Sequence, residues 1–214
     1  MKDITNISKS VISRLPRYYR FLGILIDEGV ERISSGELSV RMGLTASQIR
    51  QDFNHFGGFG QQGYGYNVEQ LRQSIGKIIG IDNCYKIILV GAGNLGRAIA
   101  QHLNFNKRGF ELTGIFDSDE KLTGHNISGL SVMHFDDIKN FCEESRPSAA
   151  ILCIPSYAGK KVTEKLVECG INSFWNFSHY NINDDFPDAI VENVHLNDSL
   201  MTLCYNLTNT EGEK

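Results

Sequence analysis

Through the first eighty residues, apolar positions recur at the spacing of helices. Ile4, Ile7, Val11 and Leu15 advance by steps of three and four, which puts them on one helical face. Pro16 predicts a restart there, because proline suits the first turn of a helix. Tyr18, Leu22, Leu25 and Ile26 then form a stripe to about Glu28, with Gly29 as the stop. Ser34 and Glu37 have capping-box spacing ahead of a short helix through Leu38 and Met42 that ends at Gly43. Thr45 to Gln48 repeats the capping pattern and opens another helix to about His55. Short helix, glycine turn and short helix make a helix-turn-helix outline. In its last helix, Ile49, Phe53 and Phe56 fall at i, i+4 and i+7 and face inward, leaving Ser47, Arg50, Gln51 and Asn54 on the opposite side. Such side chains read base edges: arginine bonds guanine through two donors, and glutamine and asparagine bond adenine. A solvated polar face on an ordinary helical domain is the alternative.

The run from Phe56 to Tyr66 interleaves Gly57, Gly58, Gly60, Gly63 and Gly65 with Phe59, Tyr64 and Tyr66. Glycines at this density predict a tight hairpin whose backbone approaches another surface closely. That describes the wing of a winged helix, which touches phosphates or the minor groove. A flexible linker is the competing reading, and three aromatic residues weigh against it. Residues 67–80 then predict a helix capped by Asn67, with Val68, Leu71, Ile75 and Ile78 on one face and Gly80 closing it.

Beyond about residue 80 the pattern changes to short apolar runs alternating with helical stretches, as in a doubly wound parallel sheet. Residues 86–90 lead into Gly91, Ala92, Gly93, Asn94, Leu95 and Gly96, followed by a helix to about Leu103. This is G-x-G-x-x-G between a strand and a helix, where a pyrophosphate meets the helix N-terminus. The next strand, 110–116, ends at Asp117, the expected ribose-binding acid, so NAD(H) is predicted rather than NADP(H). Strands are expected at 130–133, 149–155, 171–178 and 190–194, and helices at 135–145 and 158–169. Ligands sit at the carboxyl ends of such strands, so Cys153, Ile154 and Pro155, with Asn176, Phe177 and Ser178, should border the nicotinamide half of the cleft, unless they merely pack the strand ends. From about His195, Leu196, Leu200, Leu203 and Leu207 form a helical stripe that needs a partner surface, the chain's own sheet or a second subunit.

Charge agrees with this division. The whole chain carries 21 Lys+Arg against 25 Asp+Glu, yet residues 1–80 are net basic and the remainder net acidic, which fits two domains with different partners, although charge alone is better read as chance. Five scattered cysteines without a C-x-x-C pair fit neither a disulfide framework nor a zinc site. No apolar run approaches the length of a membrane span, and the first residues lack a signal-peptide pattern, so a cytoplasmic protein without a membrane partner is expected.

These motifs together resemble the Rex family of redox-sensing transcriptional repressors, over nearly the whole length. The resemblance is carried by Arg14 to Arg20 (RLPRYYR), Gln48 to Asp52 (QIRQD), the run from Phe56 to Asn67, Val90 to Gly96, and Asn176-Phe177. It implies a homodimer with a winged-helix domain over 1–80, a Rossmann domain over 81–194 and a C-terminal helix over 195–214 exchanged between protomers. NADH would lower affinity for palindromic double-stranded operator DNA, and NAD⁺ would compete with it. Operator contacts would come from Arg14, Ser47, Arg50, Gln51, Asn54, Phe59, Gly60 and Tyr66. Cofactor contacts would come from the glycine loop, Asp117 and the strand-end residues named above. The chain departs from the family at Gln61-Gln62, often Lys-Arg, and at His102 and His195, where Tyr and Asp are common. An NAD-dependent dehydrogenase with a helical appendage is the competing reading. Against it, residues 91–214 leave no room for a substrate domain, and the histidines form no acid–base constellation, so no enzyme activity is expected.

Overall fold

The computed structural model describes residues 7–55, 60–61 and 64–211. The chain divides into two compact units, Met1–Asp82 and Asn83–Lys214.

In the first unit, α1 (Lys9–Asp27) is continuous, and the restart expected at Pro16 does not occur. Proline removes one backbone donor, but Val11, Leu15, Tyr18, Leu22 and Leu25 are buried along one face on both sides of it, and that common packing keeps the two halves in one helix. Ile26, expected in the same stripe, is exposed, and Ile4 lies outside the described residues. The capping box of Ser34 and Glu37 forms at the start of α2 (Ser35–Met42), which ends at Gly43 with φ 64°. Thr45 accepts from the Gln48 amide at the start of α3 (Ala46–Asn54). A strand not expected from sequence, β1 (Arg32–Ile33), pairs antiparallel with β3 (Gly65–Asn67), and β3 pairs with β2 (Gly60–Gln61). Two residues are too few for an alternating pattern to register. α4 (Val68–Ile79) runs from an Asn67 cap to Gly80 at φ 76°, and its Val68, Leu71 and Ile75 share a core with Leu15, Tyr18, Ile49 and Phe53.

The second unit is built on a seven-stranded sheet among the described residues. In spatial order its strands are β10 (Ile190–Asn193), β9 (Ser173–Asn176), β8 (Ala149–Leu152), β4 (Tyr85–Val90), β5 (Phe110–Asp117), β7 (Leu130–His134) and β6 (Asn126–Ile127). All neighbours are parallel except β6, which forms an antiparallel hairpin with β7. This is the dinucleotide-fold order, with the strand order reversing between β4 and β8. Alternate residues supply the two faces. Ile87, Leu89, Ile115 and Ile151 pack with Ile99 and Ala100 of α5 (Asn94–His102). Ile88, Val90, Phe116 and Leu152 pack with Ile138 and Cys142 of α6 (Ile138–Ser145) and Leu166 of α7 (Ser156–Glu168).

Several boundaries differ from the periodicity. β8 stops at Leu152, so Cys153 to Pro155 form a turn, and α7 begins at Ser156. Residues 135–137 are a 3-10 turn ahead of α6. The short α8 (Ile182–Asp185) and β6 carry too few apolar positions to be anticipated. α9 (Leu196–Glu211) closes the chain, and its Leu196, Leu200, Leu203 and Leu207 are more than half exposed.

Candidate functional site

In the first unit, Ser47, Arg50, Gln51 and Asn54 all lie exposed on α3 and, with His55, line one shallow surface depression. The helix presents this face because Ile49 and Phe53 are buried on the other. Arg50 is steadied by a 3.0 Å bond from Nη1 to the Ser35 hydroxyl.

Under the same helix lies a carboxylate that sequence reasoning did not single out. Asp52 is fully buried. Arg14 donates to it through Nε and Nη2, each at 2.7 Å, the Tyr18 hydroxyl donates at 2.8 Å, and the Gln48 amide donates at 2.9 Å. Burial alone would push the Asp52 carboxyl up, but the hydrogen bonds from Arg14, Tyr18 and Gln48 outweigh it and hold the group below its ordinary value. Burial, reinforced by the Asp52 charge, raises the Tyr18 phenol. Arg14, expected at the operator, commits Nε and Nη2 to Asp52 beneath α3, and its side chain stays partly exposed. The available signal was an acid between Ile49 and Phe53 on an inward face, since a charge there requires a partner.

Beside α3, the β2–β3 hairpin stands where a wing was expected, with Gly60 opposite Tyr66 in the ladder. Phe56 and Phe59 lie outside the described residues. Tyr66 is half-buried, its ring 5.2 Å from that of Phe53 at 89°. The ring therefore anchors the hairpin to the core, and burial raises its phenol. Gly65 has φ +69°, and a Cβ there would stand 2.8 Å from the Ile33 carbonyl oxygen, so the hairpin requires glycine at this point.

In the second unit, the loop between β4 and α5 shows what each glycine does. A Cβ on Gly91, at φ +100°, would meet the Cys153 carbonyl oxygen at 2.3 Å, and one on Gly96 would meet the Gly91 carbonyl oxygen at 1.8 Å. A Cβ on Gly93 would have nothing within 4 Å. Gly91 thus lets the loop lie against the segment after β8 and Gly96 closes the loop onto itself, while Gly93 leaves a face open to a ligand. Gly93 caps α5 without any side-chain bond, so the first-turn amides and the positive helix end remain available to phosphate. Asp117 accepts from the Ala92 amide at 2.6 Å through Oδ2 and from the Asp119 amide at 2.9 Å through Oδ1. Its carboxylate is thereby fixed at the lip of the loop. A diphosphate-linked adenosine fits this donor and acceptor set.

Across the strand-order reversal, the turn after β8 lies against the loop: Ile154 Cγ2 would be 3.1 Å from a Gly91 Cβ. Burial pushes the Cys153 thiol up to about 12, so it is a neutral wall group near neutral pH. Phe177 is half-buried with its ring 4.7 Å from Trp175. Two of the expected cofactor contacts have other partners. Asn176 is fully buried, donates to the Tyr180 carbonyl and to Asn193 Oδ1, and accepts from both the amide and the hydroxyl of Ser178. This network ties the ends of β9 and β10 together and uses the Asn176 amide and the Ser178 hydroxyl internally. Among the described residues no cluster of three or more histidine, cysteine or acidic side chains could hold a metal ion.

Comparison with known proteins agrees with this geometry. Residues 6–54 match a family model described as "Putative DNA-binding protein N-terminus", and residues 82–180 match one described as "CoA binding domain". A redox-sensing transcriptional repressor Rex of Caldicellulosiruptor saccharolyticus is 48% identical over 98% of this chain and 95% of its own length. Among solved structures, RSP in complex with β-NAD⁺ and operator DNA superposes with a TM-score of 0.87 at 49% identity, covering 96% of this chain and 94% of its own. RSP in complex with β-NADH superposes with a TM-score of 0.87 at 46% identity and 96% coverage of both chains. Identity at this level over almost the full length of both proteins establishes that the chain belongs to the Rex family of redox-sensing transcriptional repressors.

Proposed function

We propose that the chain is a transcriptional repressor of the cytoplasm that binds palindromic operator DNA as a homodimer and is released from it by NADH, with NAD⁺ as the competing ligand. The observation that carries this reading is the pairing, in one chain, of an exposed polar face of Ser47, Arg50, Gln51 and Asn54 on α3 with a glycine loop whose Gly93 is open. Ser47, Arg50, Gln51 and Asn54 would meet base edges in the major groove, and the backbone of the hairpin at Gly60 would lie along phosphates.

The loop amides and the α5 N-terminus would hold the pyrophosphate, and Asp117 would accept the adenosine ribose hydroxyls. Its charge disfavours a phosphorylated ribose, which supports NAD(H) over NADP(H) and over coenzyme A, whose ribose carries a 3′-phosphate. The bound nicotinamide supplies a redox-dependent charge, positive when oxidised and neutral when reduced. Ile154, Pro155 and Phe177 would form an apolar wall that desolvates it and so favours the neutral form. A ligand shifts an equilibrium only by its differential affinity for the two states, so NADH must prefer a dimer arrangement whose two recognition helices no longer match the half-sites.

The dimer itself is supported by α9. Its exposed apolar residues, among them Leu196, Leu200, Met201 and Leu203, make a patch of the kind that marks an interface. The same unit offers an apolar groove of about 620 Å³ on the sheet, lined by Tyr85, Ile87, Phe110, Trp175 and Ile190. Exchange of α9 between two copies would cover such surfaces. No helix among the described residues is long and apolar enough to cross a membrane.

The test is a gel-shift selection on a library of palindromic duplexes at fixed salt, run without cofactor, with NAD⁺, with NADH and with coenzyme A. Selective binding abolished by NADH alone is the expected result. DNA binding absent under every condition, or release by coenzyme A in place of NADH, would overturn it.

A further inference from the structure

We propose that Asp52 is a positioning residue for base recognition: with Arg14, Tyr18 and Gln48 it fixes the rotation of α3 about its own axis and thereby sets which bases the exposed face can read. The inference rests on the operator-binding reading above and extends it to residues that touch no DNA.

The recognition helix has only nine residues. Its apolar grip on the unit comes from Ile49 and Phe53, both buried, and contacts of this kind are non-directional. Base readout is far less tolerant, because a bidentate bond to guanine or adenine fails when its donors shift by a fraction of a hydrogen-bond length. Something directional must hold the helix. Asp52 lies on the buried face of α3 beside Ile49 and Phe53, and both of its oxygens are engaged by other residues. Arg14 and Tyr18 reach it from α1, across 38 and 34 residues of sequence, and Gln48 reaches it from one turn earlier in α3.

The planar guanidinium meets the carboxylate side-on through Nε and Nη2, a two-bond geometry that is directional, and the Tyr18 hydroxyl fixes a further direction on Oδ2. A rotation of α3 would therefore break the fork before it disturbed the apolar contacts. The cluster also answers an electrostatic difficulty. An ionised carboxylate in a helix laid against phosphates is repulsive, and pairing with Arg14 cancels its charge at the site.

The experiment measures affinity for a palindromic duplex selected by the wild-type protein and for a random duplex of equal length. It uses full-length Tyr18→Phe, Arg14→Lys and Asp52→Asn, with NADH binding to the second unit as a check that each preparation is sound. A role limited to stability multiplies both affinities by the same folded fraction, leaving their ratio unchanged. The proposal expects the selected-to-random ratio to fall about threefold in Tyr18→Phe, where one hydrogen bond goes and the ring stays. It should fall tenfold or more in Arg14→Lys and Asp52→Asn, with random-duplex affinity within about twofold of wild type. Tyr18→Phe keeps the test informative if the other two fail to fold. A ratio unchanged in Tyr18→Phe, or affinities that fall in step in all three, would overturn the proposal. A wild-type protein that selects no duplex would instead bring down the operator reading, and this would be visible before any variant is made.

Discussion

The two units build their candidate functional surfaces from opposite materials. In the first, the surface is a set of side chains, and the directional part of its support is also side chains: one buried carboxylate receives donors from three residues on two helices. In the second, the surface is largely backbone. Gly91 and Gly96 matter for the atoms they lack, and Asp117 is held by main-chain amides. A side-chain site can be retuned one residue at a time while its scaffold stands. A backbone cradle has no such freedom, because a single methyl group meets a carbonyl that cannot move independently of the sheet. This contrast suits a family that must read particular DNA sites yet bind one dinucleotide.

The largest effect should come from opening the buried cluster. Asp52→Ala removes the shared acceptor of four hydrogen bonds from Arg14, Tyr18 and Gln48 and is expected to destabilise the first unit by about 3–5 kcal/mol, measured by chemical denaturation, while NADH titration of the second unit changes little. The same cluster gives the first unit an acid limit. The folded-state pKa of Asp52 is depressed, so its contribution is fully present above the ordinary carboxylate value of 3.8 and is lost as pH falls through the lower folded value. The wild-type unit should lose stability below about pH 4, where the Asp52→Ala unit shows a smaller pH dependence. Equal acid sensitivity in both would place the titration elsewhere.

Next in size is Gly96→Ala, whose Cβ would fall 1.8 Å from the Gly91 carbonyl oxygen. It should weaken NADH binding by a hundredfold or more, about 3 kcal/mol, and leave operator binding that NADH no longer releases. Gly93→Ala, with open space at its Cβ, should leave the unit folded and weaken only the ligand. If both substitutions behave alike by thermal melting and by dinucleotide titration, the division between closing and open glycines is wrong.

Arg50→Ala should lose about 1–3 kcal/mol of discrimination against a changed base in the half-site. Equal weakening on all duplexes would make it a phosphate contact instead. The smallest effect is Asp117→Asn, expected to lower NADH affinity by about 1–2 kcal/mol and to narrow the preference over coenzyme A and NADPH in competition titrations.

Much of this was legible in the sequence wherever the responsible interaction is local. The cap of Ser34 with Glu37, the αL glycines at Gly43 and Gly80, and the closure of Gly96 on Gly91 after β4 each depend on residues within a few positions of one another. Other features escaped because they depend on partners far along the chain. Pro16 ends a helix in an isolated peptide, but its neighbours on both sides bury the same stripe against Leu71 and Ile75. Asn176 and Ser178 sit where a cofactor-facing pair would sit, and only the arrival of Asn193 and Tyr180 shows that the Asn176 amide and the Ser178 hydroxyl are used internally.

The sequence by itself determined the alternation of elements, their caps, the division into a helical and a doubly wound unit, and which face of α3 points outward. These follow from periodicity and from backbone preferences that act over one or two turns. The tertiary structure alone decided that α1 is unbroken, that Arg14 serves Asp52, and that Tyr66 is an anchor. Each of those outcomes turns on burying a polar or bulky group against a surface that no local pattern contains, and the energy of burial depends on what stands opposite.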